Sequence, residues 1–339
     1  MPATIRDVAK KAGVGLGTVS RVINDSPRVS DATRQRVQEA IDELAFTPSP
    51  IARRLSLGKT LTIAAAIPFF TRPSAVNRLR GISNSLVDTG YDLIVIDMEE
   101  PERHEAYFSQ LAGGLRVDGV LTISIAPNRE TLKKFRQAGI PMVLIDVNDD
   151  ALNEFDRVVV DDIEGGAKAT QHLIDLGHRA IGYISDPLDK SDYFTSSRHR
   201  YRGYVDTLQM ADIPARPELL KQGEHGRYEA RQLAHELLAL PNPPTAIFAA
   251  SDTQAMGVLE ATRDLGLEVP RDLSVIGYDD IEVAEYLGLT TIKQLLYESG
   301  VTGVQLLLGV IQDPDQDPRC EVLPTQLVVR ATTGPPREL

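Results

Sequence analysis

Three sets of side chains in this 339-residue chain have types and spacings that could do chemistry. The first is Leu16, Gly17, Thr18, Ser20, Arg21 and Asn24, where one arginine sits among short hydrogen-bonding residues. Arg21 can fork onto guanine O6 and N7, while Thr18, Ser20 and Asn24 can donate to phosphates or bases. The second is Ser49-Pro50-Ile51-Ala52-Arg53-Arg54-Leu55, with two cations beside an apolar tip. Arginines on phosphates and a leucine wedged between base steps would explain that composition. The third is polar residues directly after apolar runs: Asp146, Ser251-Asp252 and Asp279-Asp280. Carboxylates there can accept paired hydrogen bonds from hydroxyls, amines or ring N–H groups, or they can cap helices. Capping is the expectation for Asp252 and Asp280, and both readings stay open for Asp146 and Asp279.

Other chemistries find no support. His104, His172, His178, His199, His225 and His235 are scattered, without a ligand-like pair on one helix. Cys320 is the sole cysteine, so no internal disulfide or CxxC site can form. There is no G-x-x-x-x-G-K-[ST] loop, no G-x-S-x-G elbow and no H-E-x-x-H, and Gly13-x-Gly15-x-Gly17 has the wrong spacing for a dinucleotide fingerprint. A hydrolase or dehydrogenase should show such a constellation, so no enzyme and no cofactor is expected.

Charge is unevenly distributed. Residues 1–60 hold ten Lys/Arg against six acids, whereas the other 279 residues carry 26 basic against 42 acidic side chains. A basic head on an acidic body suggests a polyanion-binding module joined to something else. The longest nearly unbroken apolar run, Leu61 to Phe70, includes Thr62 and Pro68 and falls short of the ~18 residues of a membrane span. The N-terminus lacks an apolar segment, so neither export nor a membrane partner is expected, and a reducing cytoplasm fits.

The head must position its donors on helices. Thr4 and Asp7 form an N-cap pattern for a helix through Ala12, with Ile5, Val8, Ala9 and Ala12 at helical spacing. Gly13-Val14-Gly15 turns the chain into a second helix from Leu16 to about Ile23, and Ser30 can cap a third to about Ala45. Two helices joined by a short glycine turn and braced by a third form a helix-turn-helix. The same helices could also merely support a neighbouring domain.

Beyond Leu61 the pattern changes. Apolar runs at Ile63–Ile67, Leu93–Asp97, Gly119–Ile123, Met142–Asp146, Ala180–Ile184, Ala246–Ala250 and Ser274–Gly277 read as short buried strands. Helix-period stretches lie between them, among them Asn77–Thr89, Glu164–Leu176 and Arg198–Gln209. This is the βαβ signature of doubly wound parallel sheets, so the expected class is α/β with a helical head. Two such sheets are expected, joined where the chain crosses near Val160, Leu289 and Arg319.

Ordered motifs then resemble the lactose/galactose-repressor (LacI/GalR) family. They are Ile5-Arg6-Asp7-Val8-Ala9-Lys10-Lys11-Ala12-Gly13-Val14, Thr18-Val19-Ser20-Arg21-Val22-Ile23-Asn24, Val29-Ser30 and Ile51-Ala52-Arg53-Arg54-Leu55. The body adds Arg116-Val117-Asp118-Gly119, Leu176-Gly177-His178-Arg179, Ser251-Asp252-Thr253-Gln254 and Val275-Ile276-Gly277-Tyr278-Asp279-Asp280. The resemblance implies a homodimeric regulator, a repressor by expectation, on a palindromic double-stranded operator. It implies a helix-turn-helix domain over 1–48, a hinge helix and linker over 49–60, and a periplasmic-binding-protein-like effector core over 61–339. Within the core, one subdomain would span about 61–160 and 291–319, the other about 161–290 and 320–332.

The DNA-contacting set implied is Thr4, Leu16, Gly17, Thr18, Ser20, Arg21, Asn24, Ser30, Ala52, Arg53 and Leu55, with Leu55 as the intercalating leucine. Arg200 matches the family's effector-clamping arginine and Asp279 its partner carboxylate. Phe70, Ser74, Asp146, Phe194 and Ser251 complete the expected effector set. The His178-Arg179 pair reads as a structural turn.

Three departures matter. Gly15 replaces the serine usual before the recognition helix, and Gly17 removes a side chain from a base-reading position at a cost of up to ~1 kcal/mol. Arg72-Pro73-Ser74-Ala75 stands where the family often has Asn-Pro-Phe-Phe, so Phe69, Phe70, Tyr193 or Phe194 must supply any aromatic platform. A sugar is the leading effector, and an anionic metabolite on Arg72 and Arg200 is the rival. Effector binding would bias two cleft states and so join or separate paired hinge segments. A transport-type solute receptor or a cytosolic α/β enzyme would share the body but lack the head, or need a reactive constellation.

Overall fold

A computed structural model describes residues 3–24, 26–47, 59–113, 117–188 and 195–337. Ala52, Arg53, Leu55 and Phe194, with the expected hinge helix, lie outside the described residues. The chain divides into two compact units, Met1–Leu61 with Leu115–Asp118, and Thr62–Gly114 with Gly119–Leu339.

In the first unit the helical spacing becomes α1 (Ile5–Ala12), α2 (Leu16–Ile23) and α3 (Asp31–Glu43). Val8, Ala9, Ala12, Val19, Val22, Val37 and Ala40 form its core. The Asp7 carboxylate accepts from the Thr4 amide at 2.9 Å and the Thr4 hydroxyl at 2.7 Å. Those bonds fix the start of α1 and hold the Asp7 carboxyl below its ordinary range. Asp118 accepts from the amides of Thr60 and Leu61 and from the Thr60 hydroxyl.

The second unit contains two six-stranded sheets. The strands of the first are β1 (Thr62–Ile67), β2 (Asp92–Asp97), β3 (Gly119–Ile123), β4 (Met142–Ile145), β5 (Asp156–Val160) and β11 (Cys320–Leu323). The second comprises β6 (Ile181–Ser185), β7 (Leu220–Gln222), β8 (Ala246–Ala249), β9 (Ser274–Asp279), β10 (Thr290–Gln294) and β12 (Thr325–Val328). Their orders are β11-β5-β4-β3-β1-β2 and β12-β10-β9-β8-β6-β7, and every neighbouring pair is parallel except β10 with β12. In each sheet the chain steps outward once and then returns to the other side of its first strand. The gaps between β1 and β3 and between β6 and β8 are therefore switch points, where α/β sheets open a crevice beyond their carboxyl ends.

Helices pack on both sheets: α4 (Pro73–Leu86), α5 (His104–Ala112), α6 (Arg129–Ala138), α7 (Asp162–Asp175), α8 (Thr195–Met210), α9 (Arg227–Leu238), α10 (Asp252–Asp264), α11 (Glu282–Tyr286) and α12 (Leu296–Gln312). Ile63, Ile67, Leu121, Ile123, Val143 and Ile145 lead the first core, and Tyr183, Phe248, Ile276 and Tyr278 one face of the second. Gly139, at φ 64, ends α6 by donating to Arg136 and Phe135 carbonyls, a left-handed cap that glycine adopts without strain.

Two expectations need correction. The Leu93–Asp97 run is not buried: β2 is the edge strand of its sheet, and Val95 is 44% exposed. The expected crossings also shift. Thr290–Gln294 pairs with β9 in the second sheet and Cys320–Leu323 with β5 in the first, so the chain changes subdomain after Val160, Gln294 and Leu323. Threonine content and exposure hid both strands: β10 carries two threonines and a lysine, and three of four β11 residues face solvent.

Candidate functional site

In the head, α2 turns Val19 and Val22 inward. Its opposite face presents Leu16, 46% exposed, with Gly17 and Arg21, while Thr18, Ser20 and Asn24 are half-buried along its flanks. An alanine methyl at Gly17 would meet nothing within 4 Å. This is an outward helical face with one guanidinium and several short donors, the geometry a major groove accepts. Thr4 gives its hydroxyl to Asp7, and exposed Ser30 gives its own to Thr33 at 3.0 Å.

In the body, one cavity lies at the carboxyl ends of both sheets, lined among others by Phe69, Arg72, Ser74, Arg78, Ser124, Asp146, Asp186, Arg200, His225, Ser251, Asp279 and Gln294. Ser74, Asp146, Arg200, Ser251 and Asp279 of the expected set thus come together. Phe70 does not: it is 40% exposed and outside the lining, and its neighbour Phe69 takes the place. Phe69, Ser124, Asp146 and Asp279 all have left-handed backbones, with φ of 52, 57, 61 and 117. Such strained turns after strands persist where surrounding structure holds them, and they cluster at binding sites.

Polar groups link the two subdomains across the cavity floor. Buried Arg78, from α4, meets Asp146 at 3.2 Å and donates to Gln294 Oε1 at 3.1 Å. Ser124 donates to Asp146 at 2.6 Å. Gln294 in turn donates from Nε2 to Asp279. Arg200, from α8, donates to Asp162 Oδ1 at 2.8 Å and the Ala250 carbonyl at 2.7 Å, with Asp279 at 3.7 Å. Its guanidinium lies over the Tyr278 ring, 3.8 Å from the centroid. The closest carboxylate partner of Arg200 is therefore Asp162, at the start of α7, and Asp279 is the more distant one.

Electrostatics follow from that burial. Desolvation works against the Arg200 charge, yet Asp162, Tyr278 and Asp279 hold its pKa well above normal. Desolvation raises the carboxyls of Asp162 and Asp279 although Arg200 opposes it. Burial also works against Asp186, but hydrogen bonds from His225 at 3.0 Å and Ser197 at 3.0 Å, with the His225 charge, keep its pKa below normal.

Neither Asp252 nor Asp280 caps a helix. Ser251 caps α10, accepting from the Gln254 amide, while Asp252 accepts from the Ile281 amide and the Thr291 hydroxyl. Asp280 pairs with Arg330 at 2.7 Å. His178 bonds Thr245, Ser274 and the Gly334 carbonyl, in keeping with a structural turn. Among the described residues, no group of three metal-ligating side chains occurs and no helix is long and apolar enough to cross a membrane.

Sequence reasoning missed Arg78, Ser124, Asp186, Ser197, His225 and Gln294 in the cleft lining, and Asp162, which holds Arg200 from behind it. Asp162 follows the apolar Val158–Val160 run, so the strand-end rule that found Asp146 could have found it.

A helix-turn-helix followed by paired parallel sheets with a polar crevice at their switch points defines a DNA-binding protein controlled by a small molecule. Comparisons with known proteins agree. The family described as "Bacterial regulatory proteins, lacI family" matches residues 4–49, and "Periplasmic binding protein-like domain" matches 170–333. The HTH-type transcriptional repressor PurR of Aliivibrio salmonicida (strain LFI1238) is 33% identical over 331 residues, covering 97% of this chain and 98% of its own. That of Actinobacillus pleuropneumoniae serotype 3 (strain JL03) is 37% identical over 313 residues, 91% of each. Among solved structures, the Lac repressor dimer bound to operator and the anti-inducer ONPF is 29% identical, with a TM-score of 0.85 over 98% of this chain and 100% of that one. The transcriptional regulator CelR–cellobiose complex is 33% identical, with a TM-score of 0.73 over 97% and 99%. The chain belongs to the LacI family, and the PurR relatives and the Lac repressor are transcriptional repressors, not enzymes.

Proposed function

We propose that this repressor binds a two-fold symmetric operator as a homodimer in the cytoplasm, and that a sugar or sugar derivative in the cleft sets its DNA affinity. The carrying observation is the floor of that cleft, where Asp146, Arg78, Gln294, Asp279 and Arg200 form an alternating row of donors and acceptors. Such a row suits a compact molecule rich in hydroxyls, since each carboxylate can accept two of them and each guanidinium face or edge can align one. Solved relatives with cellobiose or ribose bound support the class.

The test is selection from random duplex DNA with the 339-residue chain, followed by binding titrations with hexoses, pentoses, disaccharides and their carboxylate and phosphate derivatives. Inverted repeats should emerge, and at least one sugar should change their affinity. Unstructured selection, or indifference to every sugar and sugar derivative, would overturn the reading. On the selected site, Arg21→Ala should cost about 1–3 kcal/mol and relax preference at one base pair. Leu16→Ala should relax preference at a thymine, read by fluorescence anisotropy on single-substituted duplexes.

A further inference from the structure

Among the described residues, every charged side chain lining the cleft except one has a hydrogen-bonded or ion-pair partner. Arg78 has Asp146 and Gln294, Arg200 has Asp162 and Asp279, and Asp186 has His225. Arg72 is the exception: among the described residues its guanidinium has neither a hydrogen bond nor an ion pair. It is nevertheless half-buried in the cavity wall.

Its placement is built rather than loose. After β1 the chain turns through Phe69, and the Arg72 amide donates to the Phe69 carbonyl at 2.9 Å. That turn lays the guanidinium over the Phe69 ring, 3.6 Å from the centroid. The ring covers one face and limits the side chain's freedom, while the N–H donors lie in the guanidinium plane, free of the ring. Burial lowers the pKa of Arg72, opposed by the charges of Asp186 and Glu99. A partly desolvated cation without a hydrogen-bonding partner costs free energy, and an anion delivered by a ligand would recover it.

We propose that Arg72 is an anion subsite, so that the effector is an acidic sugar derivative whose carboxylate or phosphate docks on this guanidinium while its hydroxyls meet the cleft floor. The proposal rests on the cleft being the effector site. Arg200, committed to Asp162 and Asp279, is not the anion receptor.

The experiment compares wild type and R72Q by calorimetry against three ligand types: neutral hexoses, the matching hexonates and hexuronates, and the matching hexose phosphates. Inorganic phosphate against chloride at equal ionic strength, read by thermal shift, serves as a probe independent of sugar stereochemistry. At least one acid should bind wild type about ten-fold tighter than its neutral parent, and R72Q should erase that preference. Which acid does so separates carboxylate from phosphate. Phosphate should raise the melting temperature of wild type more than that of R72Q. Neutral sugars binding as well as every acid, or equal phosphate shifts in both proteins, would overturn the subsite. Loss of all ligand responses in R200M, with those in R72Q intact, would sink the subsite and leave the cleft reading standing. Tight binding unchanged in R200M would instead sink the cleft reading itself.

Discussion

Arg200→Ala should lower the stability of the core by about 3–5 kcal/mol near neutral pH and abolish the response to effector. The magnitude comes from what the substitution leaves behind. Asp162 and Asp279 are buried carboxylates whose shared cation is Arg200, and removing it strands both in low dielectric. Their pKa values, already raised by burial against the pull of Arg200, then rise further.

The pH dependence has a definite sign. A carboxyl with a folded-state pKa above its unfolded value stabilises the fold most when protonated, below the unfolded pKa of about 4. That contribution is lost as pH rises through the folded pKa. The variant should therefore lie closest to wild type at acid pH and fall behind as pH rises through the elevated carboxyl pKa values. Urea melts of both proteins between pH 4.5 and 8, taken as rough limits within which the core stays folded, read this directly. A gap independent of pH, or one below about 1 kcal/mol at neutral pH, would mean that the carboxylates find other partners. R200M, which keeps much of the volume, separates charge from packing.

How much of this was legible depends on how far apart the partners lie. The head could be read almost completely, because Val8, Ala9 and Ala12 repeat at a local period and Asp7 stands one turn after Thr4. Strand ends were also legible wherever a carboxylate followed an apolar run, as at Asp146 and Asp279. The floor of the cleft was not. Arg78 and Gln294 are 216 positions apart, and only the folding of β10 into the second sheet and of α4 onto the first brings them together. Nothing local shows which of the adjacent rings Phe69 and Phe70 a left-handed turn directs inward, and the structure turns in Phe69. Asp252 is illegible for a similar reason: its carboxylate oxygens accept from Ile281 and Thr291, which no helical or strand period connects to it.

A second large effect is expected from a residue that touches no ligand, Gly166 on α7. An alanine methyl there would lie 2.2 Å from the Arg200 carbonyl oxygen, and one at Gly203 on α8 would lie 2.1 Å from the Ile163 carbonyl oxygen. These glycines let two helices cross with their backbones in contact, and that contact sets the height at which Arg200 enters the cleft. The first subdomain repeats the device, since a methyl at Gly300 on α12 would lie 2.2 Å from the Arg78 carbonyl oxygen. Backbone atoms cannot swing aside as a side-chain tip can, so Gly166→Ala must push α8 outward. Overpacking of this kind costs about 1–3 kcal/mol, occasionally more. Effector affinity should fall with stability, because an outward shift of α8 carries Arg200 away from Asp162 and Asp279. Gly17→Ala provides the contrasting arm. Its methyl meets nothing, so losing glycine's freedom in α2 should stabilise the head by about 0.5–1 kcal/mol. Hydrogen exchange read separately on head and core amides should show opposite shifts in the two variants. If Gly166→Ala protected the core as well as wild type and bound effector normally, the helix crossing would have slack that these distances deny.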